Sequence, residues 1–402
     1  MKLLYIHQYF KFPDQTGGTR SYDLATSFVK KGIQVTVISG TTNGTNSCEK
    51  WSVFERAGIK FYMLYCPYDN KMSFKRRVYS FLYFMWNATV KALQINCDCV
   101  LATSTPLTVA VPAMVRKWFK KTPFVFEVRD VWPEVPIRMG FIRNKIAVEF
   151  LYWFEKLVYE NASTIVPLST GMEKNIKSRF PNSKSIVIPN ISEISRFSNI
   201  IESVPIKVPI QNKKIVLYAG IISIVNGIKY VVDLASETLK LDSNIIYFIF
   251  GKGRDKEDIR KYAKGKKVLG ANFFMFDPVK KNELPYLYSI ATVGSSFVID
   301  NPVLWDNSAN KYFDTLAASK PIVINYNGWQ AEDIKKYDVG YILPSQINKD
   351  EANNFVLYIN DAEKLKRQSI NAHSLAVREY SLEVAVEKYM RILEHLEHND
   401  KN

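Results

Sequence analysis

The chain has 402 residues, enough for two or three ordinary domains, each with its own core. A hydrophobic content of 47% with 13% aromatics excludes a disordered chain. The formal charge of +15 points to polyanionic partners: nucleic acid, anionic lipid or phosphorylated substrates. Four cysteines, Cys48, Cys66, Cys97 and Cys99, are too few for a disulfide scaffold, and Cys97-Asp98-Cys99 matches no zinc spacing.

Lys2–His7 opens the chain as a strand, with no signal-peptide pattern. The longest apolar stretches, Val78 to Trp86 and Ile215 to Val225, fall far short of the ~20 residues that span a bilayer. The sequence therefore predicts a cytoplasmic protein, at most lying on the inner face of the membrane. Arg20–Lys31 places Tyr22, Ala25, Phe28 and Val29 on one helical face and stops at Gly32. Ile33–Ser39, Ile59–Tyr65, Cys99–Thr103, Phe124–Arg129 and Thr164–Leu168 are short, continuously apolar runs. That is the pattern of strands buried on both faces of a parallel sheet. Helical segments separate them, so the fold class is α/β and doubly wound.

Ser192–Asn212 interrupts the pattern with Pro205 and Pro209. It restarts with Ile215–Ala219, Ile245–Phe250, Phe273–Phe276, Val293–Val298 and Pro321–Asn325. The expected organisation is a Rossmann-like domain over 1–195, a linker over 196–212 and a second Rossmann-like domain over 213–380. A helix over 381–402 is expected to pack back on the first domain.

Ligands of open parallel sheets bind beyond the carboxyl ends of the strands, so the residues there carry the functional reading. Gly17-Gly18-Thr19-Arg20 follows the first strand; its glycines let backbone approach an anion at a helix N-terminus, and an ordinary loop would look the same. Glu127, Arg129 and Asp130 end another strand, either as a structural Glu127–Arg129 ion pair or as a polar substrate contact. Gly220, and Gly251-Lys252-Gly253-Arg254, follow strands of the second half and suit a phosphate cradle or plain turns. Asn307 or Ser308 can cap a helix on which Lys311 and Asp314 are neighbours, the carboxylate placed for ribose hydroxyls and the lysine for a phosphate. Over Met72–Leu93, Phe74, Val78, Phe81, Leu82, Met85 and Thr89 form one stripe behind Lys75, Arg76 and Arg77, with Tyr79, Tyr83 and Trp86 interleaved. This suits a membrane interface, or a core helix with a solvated charged end.

The run from Asp306 through Asn310-Lys311-Tyr312-Phe313-Asp314 to Pro321 resembles the acidic signature of glycosyltransferase family 4. His7-Gln8-Tyr9-Phe10 with Gly17–Tyr22, Arg129-Asp130-Val131-Trp132-Pro133-Glu134 and Ile188-Pro189-Asn190 look like its WbuB-like branch. The resemblance spans nearly the whole chain. It implies a GT-B fold, a retaining mechanism and no metal or other cofactor; no Asp-x-Asp motif occurs either. It also implies that Asp314 holds the ribose, Lys311 and Asn310 lie near the donor, and Asp306 contacts the donor sugar. Gly17 and Gly18 would approach the phosphates, and Arg129 and Asp130 would serve the sugar and acceptor side. Two departures stand out: both acids are aspartates rather than glutamates, and the cations usual after the Tyr-x-Gly turn are replaced by Ile221 and Asn226. Lys252, Arg254 and Lys311 are available in their place.

The expected function is retaining transfer of an N-acetylated amino or deoxy sugar from a UDP-sugar to a polyprenyl-diphosphate-linked saccharide in surface polysaccharide synthesis. Lys75, Arg76, Arg77 and Trp86 would meet an anionic membrane or the acceptor. The other readings are a nucleotide-sugar epimerase of the same architecture and a non-catalytic partner subunit; strand-end motifs point away from nucleic acid.

Overall fold

The computed structural model describes residues 1–15, 17–42, 50–66, 72–200 and 203–399; Cys48 lies outside them. The chain divides into two compact units. One comprises Met1–Phe12, Thr19–Pro189 and Ala385–Asn402, the other Pro13–Gly18 and Asn190–Val384.

The first unit contains β1 (Lys2–Ile6), α1 (Arg20–Lys30), β2 (Gln34–Thr41), β3 (Trp51–Arg56), β4 (Ile59–Tyr65), α2 (Phe74–Gln94), β5 (Cys99–Thr103), α3 (Ala110–Lys120), β6 (Phe124–Val128), α4 (Glu134–Arg138), α5 (Lys145–Asn161), β7 (Thr164–Pro167) and α6 (Thr170–Arg179). Its sheet runs β3-β4-β2-β1-β5-β6-β7. Every pairing is parallel except β3 with β4, which is antiparallel. That edge hairpin closes through Ala57 and Gly58, both with positive φ, the two-residue turn whose twist matches the strands. The strand β3 has no place in the sequence expectation, because Val53, Phe54, Glu55 and Arg56 are all exposed and show no apolar run.

β5 and β6 are buried at every residue. On one side α2, α3 and α5 cover the sheet, setting Phe84 and Ala88, Ala113 and Met114, and Val158 and Tyr159 into one cluster with Leu4, Val100 and Phe126. The core face of α2 is therefore Phe84, Ala88 and Ala92. The expected stripe is displaced from it: Leu82 is exposed, and Val78, Phe81, Met85 and Thr89 are half-buried. In α1 the buried apolar residues are Leu24, Ala25 and Phe28, with Tyr22 and Val29 at the margin.

The second unit contains α7 (Ile194–Ser198), β8 (Lys214–Ala219), α8 (Ile228–Leu241), β9 (Ile245–Phe250), α9 (Lys256–Gly265), β10 (Phe273–Phe276), α10 (Leu284–Ile290), β11 (Val293–Ser296), α11 (Asn310–Ala317), β12 (Ile322–Ile324), α12 (Trp329–Tyr337), β13 (Gly340–Ile342), α13 (Lys349–Asn360) and α14 (Ala362–Tyr380). Its sheet runs β10-β9-β8-β11-β12-β13, all parallel. Both units are thus α/β and Rossmann-like. The described part of 196–212 lies on this unit rather than between domains: Phe197, Val204, Ile206, Val208 and Ile210 pack against a cluster around Leu217 and Phe248. The division falls between Pro189 and Asn190 rather than after residue 195. The last helix, α15 (Leu382–Asn399), belongs to the first unit from Ala385 onward.

Glu127 shows what a charge inside a buried strand requires. Its carboxylate, with the residue 0% exposed, accepts from Arg20 Nε at 2.9 Å and from the hydroxyl of Tyr389 on α15. Arg20, 3% exposed, also donates to the carbonyls of Ile188, at 2.9 Å, and Pro189, and to the Tyr389 hydroxyl at 3.5 Å. Burial of the guanidinium works against its charge, and Glu127 more than restores it, so the pKa of Arg20 lies above its ordinary value. The Glu127–Arg129 ion pair does not form. Arg20, read in sequence beside an anion-binding loop, is instead a strut among α1, β6 and α15. Breaking a buried pair leaves an uncompensated charge and costs about 3–5 kcal/mol. Glu127→Ala is expected to lose about that much in urea unfolding, whereas Arg129→Ala is not.

Candidate functional site

In each sheet the strand order reverses beside the first strand of the unit, between β1 and β5 and between β8 and β11. Loops diverge there and leave a crevice at the carboxyl ends. In the second unit that end is built by Tyr218, Ala219 and Gly220. Tyr218 is fully buried and donates its hydroxyl to the Ile221 carbonyl at 2.7 Å. The Lys311 ammonium stands 4.8 Å from the centre of its ring, in cation–π contact. The same ammonium abuts Gly220, where an added Cβ would stand 3.2 Å from Nζ. Lys311 is half-buried on the first turn of α11. Desolvation lowers its pKa to about 8, and the nearby Asp314 carboxylate works against that shift. Such an ammonium, at a strand switch and short of counter-charge, is prepared for an anion.

Asp314, 7% exposed, does not pair with Lys311. It accepts from Lys281 Nζ at 2.5 Å, and Lys281 is itself 8% exposed. Lys281 begins a 3₁₀ turn ahead of α10 and carried no signal in the sequence, because the pairing spans 33 residues. Thr315 Oγ1 donates to the Lys311 carbonyl at 2.6 Å and fixes the turn that carries the lysine. Neither Asn307 nor Ser308 caps α11, which starts from Ala309 with no side-chain cap. Asn307 Oδ1 takes the Ala309 N–H at 3.2 Å, and the Ser308 carbonyl takes Asn190 Nδ2 at 2.5 Å. Asp306 and Asn310 are half-buried on the same approach to α11.

The glycine pair after β9 has a structural reason. The pairing of β8 with β9 continues past the strands, Gly220 N–H to Phe250 O at 2.9 Å and Ile222 N–H to Lys252 O at 3.0 Å. A Cβ on Gly251 would lie 1.9 Å from the Gly220 carbonyl oxygen, and one on Gly253 would lie 1.8 Å from that of Ile222. The glycines allow this approach, while Lys252 and Arg254 remain exposed. In the loop after β8, Asn226 donates to Ser223 Oγ at 2.6 Å and Ile221 is 55% exposed, so neither supplies a cation. Gly18 is half-buried and Gly17 exposed with a φ of 124°; both group with this unit. A separate cavity of about 640 Å³ lies beside α8 and α9, lined by Ser223, Lys229, Asp255 and Asp300 among others. Lys311, Asp314 and Lys281 are not part of it, and its Asp233, Glu237, Asp255, Asp258 and Asp300 make it a poor host for phosphate.

At the switch in the first unit, β1, β5 and β6 end in His7-Gln8, Thr103-Ser104 and Arg129-Asp130. His7 is 3% exposed, and its Nδ1 lies 2.9 Å from Ser21 Oγ. Burial first, then Arg129 and Lys11, hold its pKa well below the usual range, so the ring is neutral. The Gln8 carboxamide is 2% exposed, and among the described residues neither its donor nor its acceptor is matched. Ser104 Oγ accepts the Arg129 N–H at 3.0 Å; the Arg129 side chain is half-buried and Asp130 is exposed. Glu134 is structural: it pairs with Arg138 at 2.9 Å and accepts from Asn175 at 2.7 Å.

Residues 16–191 match the model of the glycosyl transferase 4-like domain, and residues 200–374 that of the glycosyl transferases group 1. The chain belongs to the family 4 glycosyltransferases. Spore coat protein SA of Bacillus subtilis is 25% identical over 231 residues, 53% of this chain and 59% of that protein. The chain thus spans about three-fifths of the length of the curated relatives it matches. Anabaena HepE, solved in complex with UDP and glucose, superposes with a TM-score of 0.68 at 13% identity over 98% of this chain and 100% of the other. WaaG, a glycosyltransferase involved in lipopolysaccharide biosynthesis, gives 0.65 at 15% over 98% and 99%. These likenesses establish the GT-B fold.

With Ile221 and Asn226 supplying no cation after β8, Lys311 against Gly220 and the exposed Lys252 and Arg254 after β9 are positive groups among the described residues at these strand ends. The site also depends on the tight seam under it. Gly251→Ala forces the β8 and β9 ends apart, an overpacking cost of about 1–3 kcal/mol. It is expected to lower the thermal midpoint, whereas Lys252→Ala on the exposed neighbouring position leaves it unchanged.

Proposed function

We propose that the chain is a retaining glycosyltransferase that takes a sugar, an N-acetylated amino or deoxy sugar, from a UDP-sugar without a metal ion. The acceptor is a polyprenyl-diphosphate-linked saccharide at the inner face of the cell membrane, in surface polysaccharide biosynthesis. The observation that carries this reading is the desolvated Lys311 ammonium held over Tyr218 against Gly220 at the strand switch. HepE, which shares the fold, is named as binding UDP and UDP-glucose, and WaaG as acting in lipopolysaccharide biosynthesis.

In this reading the β-phosphate lies by Lys311 and Gly220, with Lys252 and Arg254 completing the positive surround. Asp314 faces the ribose hydroxyls, held in orientation by Lys281. As the bond from the anomeric carbon to the phosphate oxygen breaks, the electron pair stays on the diphosphate. Fixed cations are strongest where that charge grows. The acceptor hydroxyl bonds to the anomeric carbon on the face the diphosphate leaves, and its proton passes to the departing phosphate oxygen. The unmatched Gln8 carboxamide and the neutral His7 at the first unit's strand ends are suited to saccharide hydroxyls.

Losing a hydrogen bond to a charged group costs about 1.5–3 kcal/mol. Lys311→Ala is therefore expected to weaken UDP binding about 10- to 150-fold by calorimetry. Asp314→Ala would also leave Lys281 buried and unpaired, so the ribose contact is better read with Asp314→Asn, compared on UDP and on uracil-free pyrophosphate. A loss confined to UDP supports the assignment; equal losses on both overturn it. Lysine binds phosphate while protonated, so affinity is greatest below its pKa and declines above it. From about pH 7 to about pH 9 the wild type is expected to lose roughly tenfold in UDP affinity, and Lys311→Arg to show no such decline. Turnover of UDP-sugars with a lipid-linked acceptor, with the product anomer determined, tests transfer itself. UDP binding without transfer would favour a partner subunit, and conversion without acceptor an epimerase.

A further inference from the structure

The layer of α2, α3 and α5 has two faces. The inner one fills the core of the first unit. The outer one carries an uncommon concentration of bare aromatic surface: Trp86 is 69% exposed, Phe119 75%, Phe150 57% and Trp153 56%. Leu82 and Trp118 add to it, at 48% and 52%. Single exposed apolar residues are ordinary, but several on adjacent helices of one layer mark an interaction surface. Phe150 and Trp153 are in tilted ring contact, centres 5.6 Å apart, so their apolar area is continuous.

Charge decides what covers it. Neither α2 nor α3 contains an Asp or a Glu, and on α5 the exposed Glu149 and Glu160 are matched in number by the exposed Lys145 and Lys156. Lys75 and Arg76 on α2, Lys120 on α3 and Lys121 just after it are all exposed. A second copy of this chain would bring the same cations against themselves in a two-fold interface, a repulsive arrangement. Tryptophan and phenylalanine among lysines and arginines fit instead the boundary between phosphate headgroups and acyl chains. No helix among the described residues is long and apolar enough to cross a membrane, so contact of this kind would be with a bilayer surface.

We propose that the outer face of the α2, α3 and α5 layer docks on an anionic phospholipid bilayer. Trp86, Phe119, Phe150 and Trp153 seat at the acyl boundary, and Lys75, Arg76, Lys120 and Lys121 lie against headgroup phosphates. The proposal extends the membrane reading of the sequence from one helix to three, α5 included. It rests on the first unit alone and stands whether or not the donor is a UDP-sugar.

The test is co-sedimentation of the full chain with phosphatidylcholine vesicles, with and without phosphatidylglycerol. Binding to the anionic vesicles, weakened by salt, is expected. The triple variant Trp86→Ser, Phe150→Ser, Trp153→Ser is expected to lose about tenfold or more, and so is the charge variant Lys75→Glu, Arg76→Glu, Lys120→Glu. The charge variant alters only exposed positions and keeps the proposal testable should the aromatic one misfold. UDP calorimetry on both variants reads the donor site separately and should match the wild type. Equal binding to neutral and anionic vesicles would overturn the proposal, as would wild-type binding by both variants. Sedimentation velocity showing a dimer that the aromatic variant abolishes would also overturn it, in favour of a second copy.

Discussion

A parallel strand buried on both faces leaves a charge no access to water, so any charge placed there must come with its partner already in position. That constraint shapes both units. In the first, the carboxylate of Glu127 inside β6 draws in Arg20 from α1 and Tyr389 from α15, and the arginine then takes up two carbonyls of the segment leading out of the unit. In the second, Asp314 on the inner side of α11 is matched by Lys281 from a turn distant in sequence. Lys311, one helical turn before Asp314, keeps its ammonium against an aromatic ring and a glycine instead of a carboxylate. These neutralised charges build the scaffold, and Lys311, short of counter-charge among the described residues, is suited to a ligand.

Most of the fold was legible because continuous apolarity and helical period are local properties. β4, β5, β9 and β10 run over the very residues whose composition announces them. β3 and β13 were not legible: β3 is an exposed edge with no apolar face, and β13 has only three half-buried residues. The stripe on α2 shows a different limit. When apolar residues surround most of a helix, periodicity no longer says which side is inside, and here the smaller residues Ala88 and Ala92 accompany Phe84 inward while Trp86 stays out.

The site was legible in part for the same reason. Lys311 and Asp314 could be singled out from a run of neighbours, and Gly251 and Gly253 from their spacing. Their partners could not. Nothing near Lys281 ties it to Asp314, and nothing in Gly-Lys-Gly-Arg says that its glycines are demanded by the carbonyls of Gly220 and Ile222 rather than by a phosphate. Arg20 was drawn toward the ligand by the glycines before it, whereas its true partner lies 107 residues on. Long-range pairing of charges is the information that a linear reading lacks.

The position of Tyr389 bears on how the molecule is made. A growing chain ordinarily completes its leading domain while the trailing one is still being synthesised. Here the leading domain's buried arginine and glutamate share a hydroxyl that emerges only after the whole second sheet has been translated. The nascent amino-terminal half therefore leaves the ribosome with its Arg20–Glu127 pair still short of that hydroxyl.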